Sequence, residues 1–306
     1  MNKKARIIIW SFLIILVTVL IVKSFQKQSK NNVASKPQRN EVQKDQIQKI
    51  DEPLKVKEKA KELTVNKDKP KQTDKPNKSN ALPISDLELP KIKKGEKIVN
   101  HLAYTLSYNE KYHQANWVAY LLTKKELVKR SKRSNNFKSD PKIYHTDFSD
   151  DYYKSGFDRG HLAPAADMSF SKEVMEESFY YSNMSPQTPS FNRGIWRKLE
   201  EKVRIWTQLH DSMYIVTGPL FDSSMQVIGD DKVAVPIGYY KALLQKRKDH
   251  WSGIGFLLPN KGTKSSLRSF VLSIDSLEHR VGYNFFYLLD DEVENKVEQE
   301  VVIGEW

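Results

Sequence analysis

Apolar positions divide this chain into three regions. From Ile7 to Val22 they run almost without interruption. Over residues 23–85 they thin out, Lys, Gln, Asn, Asp and Pro take over, and Gly, Trp and Tyr are absent. From about Leu87 onward they return in short runs bounded by turn residues. Residues 103–107, 116–122, 214–217, 239–244 and 254–258 read as strands. Gly218-Pro219 is expected to end the third of these, and Pro259 the last. Two stretches carry a helical pattern. Ile195, Leu199, Val203, Trp206 and Leu209 recur at steps of three to four residues, the period of one helix face. Asp275 is placed to cap a helix over 276–281, with Gly282 as its stop. Scattered strands and few helices predict an α+β fold, with strands and helices not in βαβ alternation.

Lys3, Lys4 and Arg6 precede the first apolar run, and Lys23 and Lys27 follow it. The run is slightly short for a span of about 20 residues, but flanking lysines extend its reach by snorkelling. Its exit, Ile21-Val22-Lys23-Ser24-Phe25, lacks the small-x-small pattern of a cleaved signal. Residues 1–25 are therefore expected to be a membrane anchor that contacts the bilayer through 7–22 and leaves the rest of the chain extracytoplasmic. Secretion after signal cleavage is the alternative. Residues 26–85 form a Lys-rich linker. This stretch has too little apolar area to offset chain entropy, so it is expected to be a disordered tether. Residues 86–306 remain as the folded domain.

Charge sharpens this division. The net charge of +12 looks like a nucleic-acid signal, yet residues 1–22 carry +3, residues 23–80 carry +8 and residues 81–306 only +1. A phosphate-binding surface on the folded domain must be a local patch. The chain has no cysteine, which excludes disulfides, thiolate metal sites and a cysteine nucleophile.

The candidate chemistry lies in Asp158-Arg159-Gly160-His161 and in a second polar run containing Asn183, Pro186, Gln187, Asn192 and Glu200. Histidine near pKa 6.5 is able to take a proton from water at physiological pH, so activity is expected to rise with pH through that value. In an extended segment Arg159 and His161 share a side, and Asp158 faces away to brace backbone or pair with a structural base. Asn192 offers an amide oxygen suited to Mg²⁺, an ion that often takes only one or two protein ligands. It also reads as a helix cap. Glu200 and Arg204 are four apart on the predicted helix. Glu200 is placed to hold a metal-bound water, and Arg204 to meet a phosphate or pair with Glu200. Asn183 reads equally as a turn residue.

Taken together, these runs resemble the DNA/RNA non-specific endonucleases. These are the ββα-metal (His-Me finger) nucleases, which include secreted sugar-non-specific enzymes and mitochondrial endonuclease G. The resemblance spans roughly His101 to Leu289 and adds residues 103–106, 115–120 and 217–220 to the motifs above. It implies a ββα-metal domain with a central antiparallel sheet, His161 as general base, Asn192 as direct Mg²⁺ ligand (Mn²⁺ can substitute), and Glu200 orienting metal-bound waters. It also implies Asn183 as a supporting amide and Arg159 and Arg204 as phosphate contacts. A further family arginine precedes the run Phe137-Lys138-Ser139-Asp140-Pro141. Ungapped alignment puts Asn135 there, and Arg133, two residues earlier, fills the place if the loop shifts. The implied partners are DNA and RNA through their backbones, and a homodimer is left open. The rival reading is a catalytically degenerate surface protein that binds nucleic acid.

Overall fold

A computed structural model of the chain describes residues 86–306. The expected anchor and linker lie outside the described residues. Among the described residues, no helix is long and apolar enough to cross a membrane. The domain is built on a seven-stranded sheet in the order β1-β2-β3-β6-β9-β10-β11, antiparallel at every pairing. Its strands are β1 (Lys97–Asn100), β2 (Thr105–Asn109), β3 (Gln114–Thr123), β6 (Ser212–Leu220), β9 (Gly238–Lys246), β10 (Trp251–Pro259) and β11 (Val271–Leu272). Two short hairpins stand apart from it: β4 (Asp158–His161) with β5 (Met184–Gln187), and β7 (Val227–Ile228) with β8 (Val233–Ala234). The helices are α1 (Ser149–Tyr152), α2 (Lys172–Glu177), α3 (Arg197–His210), α4 (Ile274–Val281) and α5 (Asp291–Gln299).

Strand alternation sorts the side chains into two cores, because successive side chains leave opposite faces. Val118, Tyr120, Met213, Ile215, Tyr239, Leu243, Ile254 and Phe256 pack with Leu199, Val203 and Trp206 of α3. Trp117, Ala119, Val216, Tyr240, Ala242 and Leu244 pack with Ile274, Leu277 and Val297 of α4 and α5. A sheet covered on both faces needs apolar residues at nearly every position. Gly253 lets the second layer sit close. A Cβ there would lie 2.8 Å from Val297 Cγ1 and 3.1 Å from Ile274 Cγ1.

Three boundaries differ from expectation. Residues 103 and 104 precede β2, which starts at Thr105. β6 runs through Gly218-Pro219 to Leu220, with Gly218 paired to Tyr240 and Pro219 to Tyr239; the missing Cβ of Gly218 makes room for the Tyr240 hydroxyl. The cap of α4 is Ser273 and not Asp275. Ser273 is extended, and its Oγ accepts from Ser276 N at 3.2 Å, which leaves Asp275 in the first turn. Gly282 ends the helix at φ 73° as expected.

Candidate active site

β4, β5 and α3 form a ββα unit joined by a six-residue π turn, Phe191–Trp196, that breaks at Gly194. Tyr239 fastens this unit to the sheet. Its hydroxyl donates to Pro186 O at 2.8 Å and meets Ser185 Oγ at 2.7 Å, while its ring stacks on Phe191 at 5.3 Å. Within the hairpin Gly160 faces Ser185, and any Cβ at Gly160 would overlap the buried Gln187 side chain. That overlap explains why glycine stands between the arginine and the histidine.

Asp158 organises one end of β4. Its carboxylate accepts from Asn192 Nδ2 at 2.9 Å, and from Arg193 Nε at 2.9 Å and Nη2 at 2.5 Å. Arg193 is thus the structural base that Asp158 was expected to find, held by a two-point charge-assisted pair. Asn192 lies within the π turn and does not cap α3. With Nδ2 committed to Asp158, its carboxamide oxygen is the atom left to act as a ligand, and a neutral hard oxygen fits a Mg²⁺ ion.

His161 closes β4 at the other end and is buried at 7% exposure. Phe179 meets its ring edge-on at 4.7 Å and Phe137 lies at 5.9 Å, while Nε2 has no hydrogen-bond partner among the described residues. Burial, reinforced by the Arg133 charge, pushes the His161 pKa down to about 3. Burial thus shifts this imidazole's titration below the pH 6.5 through which activity was expected to rise. Arg159 is braced beside it. Its Nε donates to Tyr181 Oη at 3.1 Å, its Nη2 donates to Ser149 O at 3.1 Å, and its guanidinium lies 5.1 Å from the Phe137 ring. Arg133 stacks at 5.0 Å on the Phe179 ring, and its Nε donates to Asn135 Oδ1 at 2.8 Å. The loop therefore presents Arg133 toward His161, with Asn135 at φ 55° holding it.

Asn183 is fully buried, and its side chain is spent on backbone. Oδ1 accepts from Ala163 N at 2.9 Å, and Nδ2 donates to Ala163 O at 3.0 Å and to Ser178 O at 2.8 Å. It locks the segment after His161 and leaves no atom for substrate, so it is a positioning residue and not a catalytic one. Arg204 pairs with Asp167, Nη1 to Oδ1 at 2.8 Å, and not with Glu200; Tyr120 donates to the other Asp167 oxygen at 2.8 Å. Asp167 is buried, so the pair holds Arg204 in place within reach of the Glu200 charge.

Glu200 is half-buried, and burial raises its pKa; the charges of Lys241, Arg204 and Arg133 oppose that rise, and Asp167 adds to it. Lys241 is a residue that reading the sequence missed. On β9 it shares the α3 face with Tyr239 and Leu243, is 1% exposed, lies 4.8 Å from the Trp196 ring and has, among the described residues, no hydrogen-bond partner for Nζ. Burial lowers its pKa and Glu200 opposes the fall. A lysine among alternating strand residues looks like a solvent-facing position. The only available signal was that its strand neighbours are apolar on both faces.

Similarity to known proteins places the domain that carries this site. The family model described as DNA/RNA non-specific endonuclease matches residues 90–292. Mouse mitochondrial nuclease EXOG is 36% identical over 206 residues, 61% of this chain and 56% of that protein. Nuclease C1 of Cunninghamella echinulata var. echinulata is 36% identical over 207 residues, 61% of this chain and 82% of the relative. Human mitochondrial endonuclease G is 34% identical over 199 residues, 60% and 67% of the two chains. The chain thus spans little more than half the length of the EXOG relatives it matches. Among solved structures, a chain of the EndoG/EndoGI inhibitory complex superposes with a TM-score of 0.63 at 30% identity, covering 69% of this chain and 92% of that one. The matched segment contains the whole ββα unit, and the chain belongs to the DNA/RNA non-specific endonuclease family.

Proposed function

We propose that this protein is a metal-dependent, sequence-non-specific endonuclease that hydrolyses DNA and RNA, with His161 as general base and Mg²⁺ on Asn192. The observation that carries this reading is the build of β4. One four-residue strand bears His161 at one end and, at the other, the Asp158 carboxylate that orients the Asn192 amide. Arg133 and Arg159 flank the imidazole through shared aromatic rings. Asn192 would hold the metal and Glu200 its waters. When bound, the ion supplies charge neutralisation at the phosphate and its leaving oxygen.

His161 accepts the proton of the attacking water. A base near pKa 3 is weak at neutral pH. A phosphodiester seated on Arg133 and Arg159 offsets the positive charge that helps depress it, so substrate binding itself strengthens the base. Contacts made to phosphate carry little sequence information, which accounts for low specificity. A nicking assay on supercoiled plasmid and on RNA tests the proposal, with Mg²⁺, with EDTA and with His161→Ala. The variant is expected to lose over about 100-fold in rate, given typical acid–base contributions of about 10²–10⁴. Binding without EDTA-sensitive cleavage would identify the degenerate binding protein instead. We also infer, from sequence alone, a membrane tether through residues 7–22 with the nuclease outside; protease shaving of intact cells tests that placement.

A further inference from the structure

On the face of the sheet opposite α3, the helices α4 and α5 bring three carboxylates together. Asp275 and Glu278 project from α4 and Glu298 from α5, and one oxygen of each lies within 4.8 Å of the others. Glu298 is buried at 7% exposure, and its Oε1 has no hydrogen-bond partner among the described residues. The charged groups that bear most on Glu298 are all of its own sign: Glu278, Glu294 and Asp275. Glu278 is turned inward by Phe285 N, which donates to its Oε1 at 2.5 Å. Lys91 and the Asn284 amide act on Glu294, beside the cluster. A buried acid with an orphaned oxygen among like charges is costly unless something positive joins them.

We infer that Asp275, Glu278 and Glu298 form a Ca²⁺ site that clamps α4 to α5, separate from the nuclease centre and independent of its proposed chemistry. An all-carboxylate donor set with one open side suits the flexible coordination of Ca²⁺ better than the strict octahedron of Mg²⁺. Ligand oxygens on Ca²⁺ stand about 2.3–2.6 Å from it, so two of them lie at most about 5 Å apart. Exposed Asp275 leaves one side open for water and for ion entry. Protons are the rival occupant, since the same crowding and burial push Glu278 up to about 7 and Glu298 up to about 8.

Thermal unfolding of the full chain, stripped with EDTA and titrated with CaCl₂ or MgCl₂, separates these readings without recourse to activity. Ca²⁺ at a hundredfold over its Kd is expected to raise Tm by about 5–10 °C. Glu298→Gln should fold with an EDTA-state Tm no lower than wild type and lose the Ca²⁺ shift. Asn192→Ala should keep it. A wild-type Tm indifferent to Ca²⁺ but rising from pH 8 to pH 6 would assign the cluster to protons and overturn the site. An equal Ca²⁺ shift in Glu298→Gln would also overturn it, and an equal response to Mg²⁺ would overturn the choice of ion.

Discussion

At the scale of single residues, the site is governed by buried charge. His161 is held neutral by burial and by Arg133, so its folded pKa of about 3 lies below the ordinary 6.5. Between those values the unfolded chain binds a proton that the folded chain refuses. Stability therefore falls as pH drops from about 6.5 toward 3, at a slope approaching about 1.4 kcal/mol per pH unit from this group. Replacing His161 with Gln should flatten that slope, as measured by urea unfolding across pH 4–7. Lys241 is the second lever. Its charge favours the ionised form of Glu200, whose pKa burial has raised above the usual carboxylate range. The rising limb of the pH–rate profile is thus expected to belong to Glu200. Lys241→Met should move that limb to higher pH by about one unit, costing about tenfold in rate at fixed neutral pH, whereas a merely structural loss would lower the whole profile without shifting it. The motif around His161 could be read directly from the sequence because it is contiguous. Asp167, Lys241 and the Asp275–Glu278–Glu298 set could not. Each is a charged residue whose role comes from what tertiary packing buries beside it.

At the scale of elements, β2, β3, β6, β9 and β10 were legible because both of their faces are covered, which forces continuous apolar runs, whereas the four-residue edge strand β1, with a single buried position, was not. β11 and the β7–β8 hairpin were not, since two-residue strands leave no period to detect. The β4–β5 hairpin was found by its chemistry and not by its pattern. Its register depends on Gly160 lying under Gln187. Gly160→Ala should destabilise by about 1–3 kcal/mol through overpacking. Adding Gln187→Ala should recover part of that loss, a non-additivity that a double-mutant cycle on unfolding free energies will show. The turn into α3 makes a separate claim. Asp158→Ala frees both Asn192 and Arg193 and should weaken metal affinity about 10–100-fold, as losses of ligand-orienting partners do, with calorimetric Mg²⁺ titration as the measure.

At the scale of the whole molecule, the positive charge and the candidate chemistry lie in different parts of the chain. Residues 81–306 carry only +1 of the net +12. On the proposed reading, local presentation of Arg133 and Arg159, not a bulk field, seats the phosphate backbone. Deleting residues 26–85 should lower affinity for DNA at low salt and flatten its salt dependence while leaving the single-turnover rate at saturating substrate unchanged.

One strand ties several of these scales together. Tyr239 and Lys241 point the same way from β9, the first gripping β5 and the π turn, the second lying beneath Trp196. β9 therefore works as a ruler. A slip of its pairing by a single residue would turn both side chains to the wrong layer and unmake the reaction centre at two points simultaneously. Substitutions at 239 and 241 should abolish cleavage even where the fold survives, whereas those at 240, 242 and 244, buried against α4 and α5, should cost cleavage only as far as they cost stability, a split that a saturation library scored for both would expose.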